Sequence, residues 1–387
     1  MRYVASVEPV YSAERAISPA DGAVAFVVVD EDYSIHTEAS AYLAWLRSQD
    51  SSPNTERVYA GRVASFLTYC AAERIDWRSL SREDLARFLR SLVTKPMPGR
   101  LPQGEPRFRS NNTANAILTS ACEFLRFAST RGWVSAELVE GLSYPKYLRH
   151  KPSGFDWGED PEYRVVRARS VKLSGIQAAP QWLTDDQVAA VRAAVIRPRD
   201  RLLIGLLLES GVRIGEALGL RRADMHLLSS SAPLGCSQRG PHFHVRRRLN
   251  ANGMLAKSRY PRLIPVTGEL VQTYAEYQHE RSSVRATDAS DFVFVNLYKP
   301  PLGEPLKYQN VKKMFDRASA AVGFSVHPHM LRHTAATRWV GAGTPRDVVQ
   351  ALLGHVSSGS MDVYMHPAEG AKREAVERVG RAVEERR

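Results

Sequence analysis

Cysteine is scarce in this sequence, and its three occurrences are far apart. Cys70, Cys122 and Cys236 are the only cysteines among 387 residues. An odd number of widely separated thiols provides neither a disulfide framework nor a four-cysteine metal site. This usage favours a reducing compartment, and we expect a cytoplasmic protein.

Long hydrophobic runs are also missing. The apolar stretches Leu202–Leu208 and Ala23–Val29 contain seven residues each, far short of the roughly 20 that a membrane-spanning helix needs. The first residues include acidic side chains and lack the charged, apolar and cleavage regions of a signal peptide. We therefore expect no association with a membrane.

Acidic residues are outnumbered, with 41 against 53 basic residues and a net charge of +12. From Met225 to Gly268 there is no Asp or Glu at all, whereas basic residues are frequent. An excess of this kind indicates a polyanionic partner such as nucleic acid, although a merely solvated basic surface is the alternative. At this length the chain can form two or three domains with substantial cores.

Side chains suited to phosphate chemistry occur near the end of the chain. Two histidines, an arginine and a tyrosine are found at His329, Arg332, His355 and Tyr364. A tyrosine hydroxyl ionises near pH 10, so it attacks a phosphodiester at neutral pH only with assistance. Arginine provides that assistance, because its planar cation can grip two phosphate oxygens where negative charge develops.

A second arginine with a suitable neighbour lies earlier, in the segment Gly211–Leu218. Glu216 follows Arg213 by about one helical turn, so its carboxylate can orient the guanidinium. Together with Arg332, this arginine would clamp one phosphate.

These residues resemble the tyrosine recombinases and integrases. That family has Arg, Lys, His-x-x-Arg, His or Trp, and Tyr in this order, and the matching positions are Arg213, Lys257, His329, Arg332, His355 and Tyr364. The resemblance covers about residues 180 to 387, with a looser one over 36 to 147. It implies a site-specific DNA recombinase of the integrase or transposase type, acting on double-stranded DNA without ATP, a metal or any other cofactor.

The resemblance also implies a role for each matched residue. Tyr364 would attack a DNA phosphate, giving a 3′-phosphotyrosyl link and a free 5′ hydroxyl. The two arginines would stabilise the transition state, and Lys257 would protonate the leaving 5′ oxygen. His329 would assist proton transfer, and His355 would hold the phosphate.

Two other functions are compatible with the same residues. A type IB topoisomerase-like nicking and closing enzyme would share the mechanism, and a DNA-binding regulator would keep the fold without the chemistry. His329 and His333 have the i, i+4 spacing of a zinc-binding helix, but Met330 stands where that motif requires glutamate, so we expect no metal there.

The expected fold is mainly α with a small antiparallel β-sheet. Residues 1–35 form an extension with a short strand, and 36–147 form a helical domain that resembles the family's core-binding domain. Residues 148–182 are read as a basic interdomain linker. Residues 183–387 form the α+β catalytic domain, ending in an amphipathic helix at 371–387.

Capping signals position several of these helices. Ser81 with Asp84 and Thr184 with Gln187 have the spacing of capping boxes at helix N-termini. Glycines at 211 and 354 predict the ends of two helices.

Further arginines are expected to contact DNA. They lie in a Pro- and Gly-rich loop, in the linker and in the predicted sheet: Arg107, Arg109, Arg164, Arg167, Arg169, Arg246, Arg247, Arg248, Arg259 and Arg262. For the loop and the linker, a solvated segment is an equal alternative.

The resemblance implies that the helix at 371–387 docks into a neighbouring protomer and so forms a homotetramer on DNA, with or without other recombinases. Docking onto its own domain is the alternative. In the cell, such a protein would be associated with the nucleoid.

Overall fold

The computed structural model describes residues 10–20, 22–49, 53–97, 106–147, 165–175, 181–248, 250–254 and 260–354. The chain divides into two compact units. The first comprises Met1–His150 with Trp157–Ala178, and the second comprises Lys151–Asp156 with Ala179–Arg387. Within the described ranges, every helix is too short or too polar to cross a bilayer.

The first unit is a helical bundle with two small strand pairs. Its elements are β1 (Tyr11–Ile17), β2 (Val24–Asp30), α1 (Thr37–Ser48), α2 (Pro53–Ala72), α3 (Arg82–Thr94), α4 (Asn111–Thr130), α5 (Ala136–Glu140), β3 (Ser143–Tyr147) and β4 (Val165–Arg169). The core is formed by apolar faces of the helices and is rich in aromatic rings, among them Tyr42, Phe66 and Phe124, each at most 1% exposed.

The N-terminal extension forms an antiparallel hairpin. The strand predicted at Ala23–Val29 is β2, and it pairs with β1 so that Tyr11 faces Asp30 and Ile17 faces Val24. Strand β1 was not predicted from the sequence. Its sequence, YSAERAI, includes an exposed Glu and Arg and therefore lacks an apolar run.

Part of the predicted linker belongs to the first unit. β4 pairs antiparallel with β3, with Ser143 opposite Arg169. The Asn115 amide of α4 also donates to the Leu173 carbonyl at 2.8 Å and accepts from the Leu173 N–H at 3.0 Å. Residues 165–175, part of the segment predicted as a linker, are therefore held to the first unit by strand pairing and by the Asn115 side chain.

The second unit combines helices with one three-stranded sheet. Its elements are α6 (Asp185–Ala194), α7 (Pro198–Ser210), α8 (Ile214–Ala217), β5 (Met225–His226), β6 (His242–Val245), β7 (Arg262–Pro265), α9 (Gly268–Ser282), α10 (Tyr308–Val322), α11 (Pro328–Gly341) and α12 (Arg346–Leu353). The sheet has the order β5-β6-β7 and is antiparallel. A mainly helical fold with small antiparallel sheets is thus confirmed.

Helix α7 forms much of the core of the second unit. Its leucines are almost fully buried, and it ends at Gly211, which has a left-handed φ of 58°. Both predicted capping boxes are present, at the starts of α3 and α6. The apolar run Phe292–Val295 also predicts a short strand, but the structure shows a buried segment with isolated bridges, Arg221 to Phe292 and Val295 to Pro305.

Candidate active site

Arg332 connects three parts of the second unit. It lies in α11 and is 3% exposed. Its Nη2 donates to the Leu353 carbonyl at 2.8 Å, and its Nη1 donates to the Gly211 carbonyl. Both carbonyls lie at helix C-termini, where backbone acceptors have no partner within the helix. The guanidinium plane is consequently fixed between the end of α7 and the end of α12.

Arg213 is held by the buried carboxylate of Glu216, as the sequence spacing suggested. Glu216 Oε2 accepts from the Arg213 N–H at 2.9 Å, and Oε1 accepts from Arg213 Nη1 at 3.2 Å. Because the Glu216 side chain is fully buried and that of Arg213 is about a quarter exposed, the carboxylate anchors the arginine from the protein side. Gly211, whose carbonyl binds Arg332, is only two residues before Arg213 in the chain.

A second cation shares Glu216. Arg262 of β7 donates from Nη2 to Oε2 at 2.6 Å and from Nη1 to Oε1 at 3.3 Å. Its Nε also donates to the Leu352 carbonyl at 3.0 Å. Arg262 was expected to contact DNA, but the structure places its guanidinium inside the unit, with a side chain only 10% exposed. The buried charge of Glu216 explains this position, because an unpaired carboxylate there would be strongly destabilising.

The last two carbonyls of α12 are therefore bound by arginines from two different elements. Arg262 donates a hydrogen bond to the Leu352 carbonyl, and Arg332 donates one to the Leu353 carbonyl. Positive charge at a helix C-terminus is favourable because of the partial negative charge there. Gly354 ends α12 with a φ of 63°, and a Cβ at this position would lie 2.7 Å from Arg262 Nη1. The left-handed backbone favours glycine at this point, and a Cβ would displace the guanidinium of Arg262.

The environment of Glu216 determines its protonation. Burial by itself would raise the pKa of this carboxyl, but the hydrogen bond and charge of Arg262, with those of Arg213, hold the pKa below its usual value. Glu216 is therefore ionised at neutral pH and balances one of the two cations. The pair of arginines keeps a net positive charge, which suits an anionic ligand.

The histidines of α11 differ in their surroundings. His329 is exposed in the first turn, and its ring centre lies 6.4 Å from that of His333. Burial, followed by the charges of His329 and Arg332, lowers the pKa of His333 to about 4. His333 is thus neutral at pH 7 and adds no charge to the site.

Several predicted site residues lie outside the described residues. They are Lys257, His355 and Tyr364 of the motif, Arg164 and Arg259 of the DNA-binding set, and the helix at 371–387. The structure does include the turn at residues 250–254, which precedes Lys257. The Asn252 amide, 8% exposed, donates to the carbonyls of Leu218 and Leu306 at 3.0 and 3.1 Å, which attaches this turn to the core.

The remaining DNA-binding candidates divide by their contacts. Arg248 binds the fully buried carboxylate of Asp224 through both nitrogens, at 2.5 and 2.7 Å, and so has an internal partner that was not expected. Arg246 is half exposed and lies 3.8 Å from the same carboxylate. The more solvent-accessible candidates are Arg107, Arg167, Arg169 and Arg247. Arg109 is partly buried, and burial lowers its pKa.

Comparison with known proteins agrees with this geometry. Residues 181–370 match the phage integrase family, and residues 39–132 match the N-terminal SAM-like domain of phage integrases. The chain belongs to the phage integrase family of tyrosine recombinases, enzymes that cleave and rejoin DNA. This confirms the class of protein and of enzyme that the six motif residues predicted.

Particular relatives include a transposase and a tyrosine recombinase. Transposase A from transposon Tn554 of Staphylococcus aureus is 26% identical over 347 residues, covering 88% of this chain and 90% of that protein. Tyrosine recombinase XerC of Chlamydia trachomatis is 29% identical over 213 residues, covering 53% of this chain and 59% of that protein.

Solved structures show the same fold. The Tn1549 transposon integrase in complex with circular intermediate DNA has a TM-score of 0.58 at 16% identity, covering 88% of this chain and 98% of that one. XerH site-specific recombinase bound to a palindromic difH substrate has a TM-score of 0.54 at 17% identity, and the match covers 88% of this chain and 84% of that one.

Replacing Glu216 with glutamine should destabilise the catalytic unit. The substitution leaves Arg213 and Arg262 without their shared countercharge, and breaking a buried ion pair costs about 3 to 5 kcal/mol. Urea unfolding of the purified chain measures this loss. Glu276→Gln, which breaks a partly exposed pair with Arg201, is the control and should cost less than about 1 kcal/mol. Equal losses for the two variants would contradict the anchoring role of Glu216.

The difference in unfolding free energy between wild type and Glu216→Gln should depend on pH. The folded pKa of Glu216 is below the unfolded value of about 4.3, so its stabilisation is complete above that value and is lost as the pH falls through the folded pKa. The stability difference between wild type and Glu216→Gln should be constant from about pH 5.5 to 8 and shrink below about pH 4.

Proposed function

We propose that this recombinase uses Arg213 and Arg332 to clamp the scissile phosphate while Tyr364 attacks it. The observation that supports the proposal is that Arg332 binds the chain two residues before Arg213. Arg332 binds the carbonyl of Gly211, and Arg213 is held by Glu216 in the same turn. Two guanidinium groups held in fixed positions would suit the charge of a pentacoordinate phosphorus.

The proposed reaction conserves the bond energy of the DNA backbone. The phenolic oxygen of Tyr364 forms a bond to phosphorus, and the bond from phosphorus to the 5′ oxygen breaks. Lys257 supplies the proton that the 5′ oxygen takes up, and His329 assists in removing the phenol proton. His355, which follows Gly354 at the end of α12, would hold a non-bridging oxygen. Reversal by a 5′ hydroxyl of a second duplex completes strand exchange.

Rigidity of the clamp is the contribution of the surrounding fold. The guanidinium of Arg332 is fixed by two backbone carbonyls, and that of Arg213 is fixed by a buried carboxylate. A misplacement of about 1 Å in a catalytic group can cost about 100-fold in rate. The internal ion pair of Arg262 serves this purpose, since it binds both Glu216 and the end of α12.

We further propose that the chain moves or integrates a DNA element as a tetramer. The similarity to the Tn554 transposase over nearly the whole of both chains supports a transposase role. The exposed arginines at 107, 167, 169 and 247 would contact the DNA backbone, and the helix at 371–387 would link protomers, with or without other recombinases. Such an enzyme would work on the DNA of the nucleoid.

Capture of the covalent intermediate tests this function. Wild-type protein is incubated with a pool of nicked genomic duplexes, in which loss of a short 5′ fragment prevents religation. We expect an adduct stable to detergent, joined through the DNA 3′ end to the peptide that contains Tyr364, with the attached DNA converging on one sequence. Attachment through the 5′ end or another residue would contradict the mechanism. Adducts on unrelated sequences would indicate a nicking and closing enzyme, and no adduct would indicate a regulator.

A further inference from the structure

Four potential metal ligands cluster at the edge of the catalytic unit's sheet. They are His226 at the end of β5, Cys236 in the following loop, and His242 and His244 on β6. Each offers one ligand atom, and these four atoms all lie within 4.8 Å of one another. None of the four residues belongs to the arginine clamp or to the recombinase motif. The cluster therefore needs an explanation of its own.

The thiol distances match those around a tetrahedral ion. Cys236 Sγ lies 3.5 Å from His242 Nε2 and 3.7 Å from His244 Nε2. Two ligands bound at about 2.3 Å (S) and 2.1 Å (N) to one tetrahedral zinc ion are separated by about 3.6 Å. The rings of His226, His242 and His244 are mutually close, with centres 4.6 to 5.1 Å apart. Closing the widest pair of ligand atoms to tetrahedral spacing requires a movement of about 1 Å.

Hydrogen bonding to the outer side of one ring supports the assignment. His242 Nδ1 lies 2.7 Å from the Gly240 carbonyl, which accepts only, so this nitrogen carries the proton. The Nε2 of the same ring then presents its lone pair towards Cys236. A ligating histidine usually donates its second N–H to a carbonyl or carboxylate in this way, which fixes the tautomer.

Burial makes the cluster costly without an ion. His226 and His242 are 5% and 1% exposed. The Nδ1 of His226 is buried and has no hydrogen-bond partner among the described residues. A single thiol proton can satisfy only one of the two imidazole nitrogens that face Cys236. A bound cation would satisfy these lone pairs together.

We propose that His226, Cys236, His242 and His244 bind one zinc ion. Borderline-soft Zn²⁺ accepts one thiolate and three imidazoles, and four protein ligands leave no open position for a reacting water. The site is therefore structural. Its role is to fasten the loop between β5 and β6 to the sheet, in which β6 pairs with β7, the strand that carries Arg262.

This proposal differs from the expectation of no metal. The expectation rested on the number of cysteines and on the pair His329 and His333. In the cluster, nine residues separate His226 from Cys236, and five separate Cys236 from His242. A single cysteine with unequally spaced histidines matches none of the common zinc-finger spacings. The pairing of β5 with β6 brings the ligands together.

Metal content of the full-length protein tests the proposal directly. The tag-free chain is incubated with zinc chloride, desalted and analysed by plasma mass spectrometry. We expect about one zinc per chain for wild type and at least tenfold less for Cys236→Ala and for His242→Ala. Controls are His279→Asn, an exposed histidine of α9, and His329→Asn, which should both keep the zinc. Cobalt substitution should give the thiolate charge-transfer band and the strong visible bands of four-coordinate Co²⁺ in the wild type.

Two results would overturn the site. One is a zinc content below about a tenth of an ion per wild-type chain after loading. The other is retention of zinc by the Cys236→Ala/His242→Ala double variant. Loss of zinc from His329→Asn but not from Cys236→Ala would place the ion on α11 instead. If the ligand variants do not fold, thiol labelling of the wild type decides. Cys236 should react at least tenfold faster after removal of zinc by a chelator, and an unchanged rate would contradict the proposal. None of these measurements depends on recombinase activity.

Discussion

Tyr364→Phe should abolish covalent capture of nicked DNA while leaving DNA binding intact. The substitution removes the oxygen that forms the bond to phosphorus and keeps the aromatic ring. Loss of a nucleophile in a cooperating site lowers the chemical step by about 10⁴-fold or more. Adduct formation on the captured sequence, measured in denaturing gels, gives the rate, and a band-shift titration on the same duplex gives the affinity.

The control for this variant is Tyr308→Phe. Tyr308 is a 42% exposed residue at the start of α10, and its hydroxyl has no proposed role, so this variant should form the adduct at the wild-type rate. Capture that survives in Tyr364→Phe would show that another residue is the nucleophile. Equal loss of capture and of binding would show that Tyr364 serves the interface with DNA and not the reaction.

Arg213→Ala should slow cleavage by about 10²- to 10³-fold, the usual effect of removing one donor from a developing negative charge. The rate is measured in single turnover with saturating protein, so that weaker binding does not contribute. A duplex with a neutral methylphosphonate at the scissile position provides the decisive comparison. It removes the charge that Arg213 neutralises, and the penalty of Arg213→Ala relative to wild type should shrink at least tenfold on it.

Arg262→Ala is the matched control, because Arg213 and Arg262 share Glu216. The hydrogen bonds described above join the Arg262 guanidinium to two protein groups, the Glu216 carboxylate and the Leu352 carbonyl. Its removal should lower stability more than that of Arg213, and its rate penalty should be the same on charged and neutral phosphates. A penalty for Arg213→Ala that does not change on the neutral duplex would mean that Arg213 has no contact with the phosphate.

Local signals in the sequence predicted much of the fold correctly. The capping boxes at Ser81 and Thr184 and the helix end at Gly211 depend on residues within one or two turns of each other. The end of α12 at Gly354 likewise follows from a local signal. Pairing between strands that are distant in the sequence could not be predicted from such local signals. The strands β1 and β4 are polar or short, and each is stabilised by a partner strand and not by its own pattern.

In the candidate site, too, local features were predictable from the sequence and contacts between distant segments were not. The motif residues and the contact of Arg213 with Glu216 follow from order and spacing in the chain. The internal roles of Arg262 and Arg248 do not, because a basic residue in a segment without acidic residues appears equally available to DNA. Their partners, Glu216 and Asp224, lie 46 and 24 positions earlier in the sequence.

The sequence by itself determined the family and its class of reaction, because covalent catalysis on a phosphate requires particular functional groups in a particular order. Only the tertiary structure decided which cations neutralise the buried carboxylates of Glu216 and Asp224. That choice depends on burial, since a carboxylate removed from water must take a cation from whichever segment the fold places beside it.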